Sequence, residues 1–506
     1  MEAKMSSGIS TKFKLGTIGL VSQAILLGCA VSSGNALQAK AETPQAKPAE
    51  QMVVNADEAG QEALAYSYAL QAYLYTYPLM IIEREMRRRD NITKSVGTAP
   101  IAPINRLGHM TMLADADSDM PYSPNNDTVY TGVALDISKE PIILDMPAIK
   151  DRYAVVGVTN AYIENMPYAY SPTANGNDAA RLAFIGPDWS GELPPELTPV
   201  YVDTNLAILA IRIAASGDEE MPEIRAYQEQ MSLTALSDWD GKPSVTPPPI
   251  PAPPVRNKYS GPFAYFQKAA DLLTDFPPPD RHHAMNASLW RIGLVPGQPF
   301  DPDSLDPATR RGVERALKDG PIAIDYLRRN RGRKFPSGWD TGRYADNIVF
   351  DYSARAAIAL VGLLGNDPEE AIYFYTYFDS EGEPLDGSSQ YRMRFEAGEL
   401  PELNPLGFWS LTMYDGETFR YTHNPIDRYK LGSSSDLSWN EDGSLDLWIQ
   451  PNAPSVDKMS NWLPSPEGRP FRVTFRTYSP TQQVIDELYA LEMALPPLVP
   501  VANSDQ

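Results

Sequence analysis

The sequence predicts a mainly β protein with helical additions: two antiparallel β-sandwich or jelly-roll-like domains joined by a Pro-rich linker and a helical section. Three observations predict it. The chain has 506 residues, more than one ordinary core accommodates. It carries 47 prolines, which break helices and central strands but suit turns and strand edges. Short apolar runs separated by Pro, Gly, Asn and Asp occur in two blocks on either side of a proline cluster.

The N-terminus comes first. Lys4, Lys12 and Lys14 precede an uncharged apolar run, Leu15 to Val31. The run is too short and too interrupted by Gly and Ser for a permanent span, and it fits a secretory signal. Two processing sites compete. Leu26-Leu27-Gly28-Cys29 resembles a lipobox, and Cys29 is the single cysteine, which would take the lipid and leave residues 1–28 as the signal. Ala39-Lys40-Ala41 fits ordinary signal peptidase and would make the signal 1–41. Either way an exported protein is expected, in the periplasm or anchored to the envelope. One cysteine precludes an intramolecular disulfide.

The formal charge is −22. Cleavage after Ala41 removes four basic residues and one acidic residue, leaving −25. Such a charge argues against nucleic acid and against anionic lipid surfaces, so membrane association is expected only through a lipid anchor.

Residues 42–54 read as a flexible tether, Ala-, Gln-, Pro- and Lys-rich. The N-terminal domain is expected over 55–240. It opens with a Tyr-rich helix that Asn55 and Glu58 would cap, Pro78 would kink or divide, and Arg87, Arg88 and Arg89 would close. Strands are expected at 129–137, 141–146, 153–158, 181–185 and 206–213. Residues 241–256, with Pro-Pro-Pro at 247–249, predict an extended linker. A helical section follows over 257–366, with helices at 259–276, 306–318 (Asp306 capping, Pro307 at the first position) and 354–364. The C-terminal β domain is expected over 367–500, with strands at 391–395, 407–414, 444–449 and 471–478. In the last, Phe471, Val473, Phe475 and Thr477 alternate with Arg472, Thr474, Arg476 and Tyr478, the period of a half-buried strand. No internal repeat is evident.

At the level of motifs the chain resembles a known family. Pro124-Asn125-Asn126-Asp127-Thr128-Val129-Tyr130, Leu135-Asp136-Ile137-Ser138, Asp151-Arg152-Tyr153 and Gly186-Pro187-Asp188-Trp189-Ser190-Gly191 resemble domain of unknown function 1254. Phe408-Trp409-Ser410-Leu411-Thr412-Met413-Tyr414, Asn424-Pro425-Ile426-Asp427-Arg428-Tyr429, Glu441-Asp442-Gly443-Ser444-Leu445 and Asn461-Trp462-Leu463-Pro464 resemble its usual partner, domain of unknown function 1214. The resemblance spans roughly residues 60–500. It implies two sandwich-like units in an exported bacterial protein and no established reaction. The chain departs from the pattern at Ser171-Pro172-Thr173-Ala174-Asn175-Gly176, where relatives often carry an Arg-Thr-Thr-Gly-like stretch.

Recognisable catalytic signatures are absent: no G-x-S-x-G, Walker loop, G-x-G-x-x-G, H-E-x-x-H or C-x-x-C, and no cofactor is implied. Four histidines are available, His109, His282, His283 and His423. His109 and His423 adjoin the family-like blocks and are the candidate catalytic residues, although hydrogen-bonded loop residues fit the sequence better. His282 and His283 read as loop surface. Asp115, Asp117 and Asp119 alternate like a calcium loop, but Met120 stands where an EF-hand has Gly and Asn126 where it has Glu, which favours a solvated acidic loop. The candidate ligand-binding set is Asn125, Asp127, Thr128, Tyr130 and Arg152 in the first half, with Tyr414, Asn424, Arg428, Trp462 and Arg476 in the second. Arginine clamps carboxylate or phosphate, Asn and Tyr orient it, and Trp stacks on rings. Turn-building and ion pairing explain the same residues. Two functions follow: an envelope protein binding a small molecule or glycan in a cleft of the β domains, or an enzyme, of hydrolase type, using His109 or His423 with nearby carboxylates.

Overall fold

In the computed structural model the Ala-, Leu- and Tyr-rich start forms one helix, α1 (Ala49–Arg87). The structure describes residues 49–89, 92–118, 123–242, 248, 258–330, 332–341, 350–493 and 495–501. The expected signal, Cys29, most of the tether and nearly all of the Pro-rich linker lie outside the described residues. Two expectations for α1 are corrected. It starts six residues before Asn55, inside the expected tether, so Asn55 and Glu58 do not cap it. It also runs unbroken through Pro78. An interior proline costs about 3 kcal/mol, but Tyr75, Leu79 and Ile82 beside it are buried in a helical core, and that burial outweighs the lost backbone bond.

The N-terminal strands are β1 (Gly108–His109), β2 (Thr128–Asp136), β3 (Ile142–Met146), β4 (Ala154–Asn160), β5 (Ala180–Ile185), β6 (Thr198–Tyr201), β7 (Leu206–Ala214) and β8 (Ser232–Ala235). They form two sheets, ordered β1-β2-β7-β4 and β6-β5-β3-β8. Every pairing is antiparallel except β5 with β6. Alternate residues of the two sheets, Val129, Val133, Leu209 and Ile211 against Ile142, Leu144, Leu182 and Phe184, share one core. Helix α2 (Met221–Gln228) connects β7 to β8 and seats Met221 and Ile224 in that core.

The helical section holds α3 (Ala264–Asp275), α4 (His283–Trp290), α5 (Pro307–Asn330) and α6 (Tyr352–Val361). Asp306 caps α5 as expected, its carboxylate accepting from the Ala308 and Thr309 amides at 3.1 and 3.0 Å. The helix then continues past Lys318 through Pro321. Close packing against α1 holds it: a Cβ on Gly312 would sit 2.6 Å from the Glu62 carbonyl, and one on Gly320 2.5 Å from the Tyr73 ring.

The C-terminal strands are β9 (Arg333–Lys334), β10 (Asp340–Thr341), β11 (Ala371–Thr376), β12 (Tyr391–Phe395), β13 (Leu403–Asp415), β14 (Lys430–Gly432), β15 (Leu445–Gln450), β16 (Trp462–Pro464), β17 (Phe471–Pro480) and β18 (Val499–Pro500). One sheet runs β14-β13-β17-β11-β10-β9 and the other β16-β15-β12-β18. Strands β9 and β10 come from the stretch expected to be helical. Ile372, Phe374, Leu411, Val473 and Phe475 pack on Met393, Phe395, Leu445 and Leu447. Helix α7 (Gln482–Ala490) adds Val484, Ile485 and Leu488 to this core. Residues Val54–Gln506 form one compact unit, so the outer faces of the two sandwiches have a defined relationship. Among the described residues, no helix is long and apolar enough to cross a membrane.

Candidate functional site: a cleft between the sandwiches

A strand presents alternate side chains to opposite faces. With 129, 133, 209, 211, 411, 473 and 475 committed to the two cores, the even-numbered residues of β2, β7, β13 and β17 must face outward. Here outward does not mean toward solvent. These faces meet each other through Tyr153, Val155, Ala371 and Tyr478, with Phe408 stacked 4.1 Å from the Tyr478 ring. The half-buried strand expected at 471–478 is therefore buried from Val473 to Pro480. Its polar alternates face the other domain rather than water.

Beside this contact the faces part into a cleft of about 360 Å³, near the low end of the roughly 300–1,000 Å³ typical of small-molecule sites. One wall carries Tyr130, Gly132, Ile208, Ala210 and Arg212 of β2 and β7, and the other Tyr373, Tyr375, Arg472, Thr474 and Arg476 of β11 and β17. The α1 terminus adds Glu85, Arg88 and Arg89, and the end of α6 adds Ile358, Leu360 and Leu363. Of the charged residues lining it, five are arginines and one is a glutamate. That is a local reversal of sign in a chain of net charge −22.

The arginines are held in distinct ways. Arg212 donates to Asn366 at 2.7 Å and to the Leu364 carbonyl, its guanidinium 5.1 Å from the centre of the Tyr130 ring. Arg476 donates to Thr412 at 2.8 Å and to the Tyr414 hydroxyl at 2.7 Å. Arg472 lies within 5.7 Å of the rings of Tyr375, Tyr377, Tyr414 and Phe419 and donates to Ser123 and to Tyr377. Among the described residues it has no carboxylate partner. Arg88 pairs with Glu85 at 3.1 Å.

Of the residues proposed from sequence, Asn125, Tyr130 and Arg476 line the cleft. Asp127 and Tyr414 lie directly behind it. Asp127 accepts from Ser410 and Tyr478, and Tyr414 donates to the Pro124 carbonyl at 2.6 Å. Thr128 is buried at the start of β2. The others are not brought to it. Arg152 is taken up by Asp151, Glu220 and Glu223. Asn424 closes its own loop onto the Ile426 and Arg428 amides. Arg428 donates to the carbonyls of Met459 and Trp462, each at 2.8 Å. Trp462 is 1% exposed and donates to the Gln450 carbonyl, a core plug.

The histidines are dispersed. His109 sits on β1 with Nδ1 2.8 Å from the Thr131 hydroxyl, and burial pushes its pKa down to about 4. His423 is exposed, 3.3 Å from the equally exposed Asp117. Neither lines the cleft. His282, expected on a loop surface, is fully buried, with Nε2 2.8 Å from Glu164 and Nδ1 3.0 Å from the Tyr75 hydroxyl. Asp115 closes a turn on Asp117 and Ser118, while Asp119 lies outside the described residues. Among the described residues no group of three or more His, Cys, Asp or Glu is placed to hold a metal ion.

Sequence reasoning missed Arg472, Thr474, Arg212 and the α1 arginines. The signal present was the interleaving of two arginines with a threonine on one face of β17, which reads equally well as a solvent face.

The class of protein follows from comparison with known families. Residues 104–235 match the family described as protein of unknown function DUF1254, and residues 370–482 match protein of unknown function DUF1214. The chain thus combines these two domains, one in each sandwich. It is similar in fold to the crystal structure of the VPA0106 protein from Vibrio parahaemolyticus, with 24% identity and a TM-score of 0.62 over 87% of this chain and all of that one. A putative uncharacterized protein from Burkholderia cenocepacia aligns with 12% identity and a TM-score of 0.36, over 86% of this chain and 96% of that one. A comparison with curated proteins finds no match.

Proposed function

We propose that the protein binds a small organic anion in the cleft between its two sandwiches. The observation that carries this reading is the surplus of arginine there, five against one glutamate, in an otherwise strongly acidic chain. A cleft with apolar walls raises the strength of each charge it contains, so an anion gains more there than on the surface. A neutral glycan is a poorer fit, because Trp462, the ring put forward for sugar stacking, is sealed in the core. The hydrolase reading gains no support, since His109 and His423 stand outside the cleft. Thermal-shift screening of organic anions against matched neutral and cationic compounds tests the proposal. Anions should raise the melting temperature, less so at high salt. Stabilisation by neutral or cationic compounds alone would overturn it.

We also propose that binding takes place outside the cytoplasm. Lys4, Lys12 and Lys14 ahead of an uncharged apolar run support export. Intact mass of envelope protein lacking residues 1–28 or 1–41 is the expected result, and full-length protein in the cytosol would contradict it.

A further inference from the structure

Within that anion-binding reading, on which this inference rests, the geometry points to a carboxylate with an apolar body as the ligand, its head held by Arg472 and Thr474 on β17. Arg472, Thr474 and Arg476 lie on one face of the strand, about 6.8 Å apart along the chain, and all three line the cleft. Among the described residues, Arg472 Nε and Thr474 Oγ1 are buried without a hydrogen-bond partner. A buried donor left unmade is costly, and an atom in that position calls for a partner, which a ligand or an ordered water can supply. Two unmade donors match the two oxygens of a carboxylate. A phosphate monoester presents three terminal oxygens, one more than these two donors match. The aromatic rings around Arg472 fix the plane of its guanidinium and shield it from water without neutralising it, as a carboxylate partner would. The rest of the ligand meets Ile208, Ile358, Leu360 and Leu363, apolar side chains that reward carbon.

Titration calorimetry with octanoate, octyl phosphate and 1-octanol tests this assignment. Octanoate should bind at least roughly tenfold more tightly than either of the others. Arg472→Gln should weaken octanoate roughly tenfold or more and leave 1-octanol unchanged. Thr474→Val, close in shape, should weaken octanoate several-fold with its melting temperature held, which guards against a folding defect in the arginine variant. Arg88→Gln, which alters another arginine of the cleft lining, should cost less than Arg472→Gln. Octanoate binding that is indifferent to Arg472 and Thr474, or more sensitive to Arg88, would overturn the assignment of the head and leave the cleft standing. Tighter binding of octyl phosphate would overturn the carboxylate. Failure of all three probes to bind would overturn the inference together with the anion-binding reading of the cleft.

Discussion

The carboxylate of Asp127 in one sandwich accepts a 2.8 Å hydrogen bond from the hydroxyl of Ser410 in the other. The same oxygen accepts from Tyr478 at 2.9 Å, and Lys430 Nζ lies 3.5 Å from the second oxygen while donating to the carbonyls of Asn126 and Ala215. Asp127 is 2% exposed, so the two domains are joined by a desolvated charge of the first with three partners, Ser410, Tyr478 and Lys430, in the second. Removing one member of a buried pair leaves the other charge stranded, at about 3–5 kcal/mol. Asp127→Ala should lose stability of that order in urea unfolding. Asp127→Asn, which keeps an acceptor for Ser410 and Tyr478, should lose less. Combining Asp127→Asn with Lys430→Met should recover part of the loss. An alanine variant as stable as the parent would show that the junction is held by its apolar rings alone.

Stability should fall in two acid steps. Burial lowers the pKa of His109 from 6.5 to about 4. The folded state therefore binds fewer protons there than the unfolded chain, and the stability this confers is present above pH 6.5 and lost as pH falls toward 4. At about 1.4 kcal/mol per unit, the loss is on the order of 3 kcal/mol. The second step belongs to Glu164. Burial pushes its pKa up, but hydrogen bonds from His282 and Asn160 and the charge of Arg355 hold it down to about 2. Its contribution is present above pH 4.5 and lost between there and pH 2. Melting temperature recorded against pH should show both windows, and His109→Gln should flatten only the upper one. An unaltered profile in that variant would remove His109 as its cause.

Gly132 lines the cleft on β2 and admits no side chain. A Cβ there would stand 2.1 Å from the Pro100 carbonyl oxygen, a backbone atom unable to swing aside. Gly132→Ala must displace the 99–101 segment, which itself lines the cleft. We expect a loss of about 1–3 kcal/mol together with weaker octanoate binding, read from denaturation and calorimetry. Wild-type values for both would mean that the segment yields freely.

How far the sequence announces this arrangement depends on which neighbours fix each residue. Strands β2, β3, β4, β5 and β7 are legible because each pairs turn residues with an apolar run, and period two shows which face is buried. Strands β6 and β8, four residues each, are too short to show a period. Pro78 and Pro321 mark helix breaks by local chemistry, yet the packing of α1 against α5, through Gly312 and Gly320, carries both helices through them. The cleft is the least legible feature. Alternation on β17 tells that Arg472, Thr474 and Arg476 share a face, but only the approach of a domain some 260 residues earlier in the chain decides that the face is not solvent. Asn125 and Tyr130 were within reach because they fall in a motif block beside a strand boundary, and Arg476 because it sits in the alternating run of β17. Arg152 and Arg428 satisfied the same criterion and are instead spent on local partners.

Arg152 gives that distinction a test. Its fork points at Asp151, Glu220 and Glu223 at 2.9, 2.6 and 2.5 Å, and it also donates to the Ala214 carbonyl at 3.3 Å. These bonds tie α2 and the preceding turn to the start of β4, so the side chain is a brace for the edge of the sheet. Its charge is already matched by three carboxylates, and an additional anion approaching it would meet their repulsion before its attraction. Arg152→Lys keeps the charge but cannot span three acids, because an ammonium is a compact point donor and not a rigid planar fork. The partly exposed setting limits the expected loss to about 1 kcal/mol, and added salt should shrink it further. Octanoate affinity should stay at the parent value. A fall of roughly tenfold in that affinity with stability unchanged would place the ligand at Arg152 and away from the cleft.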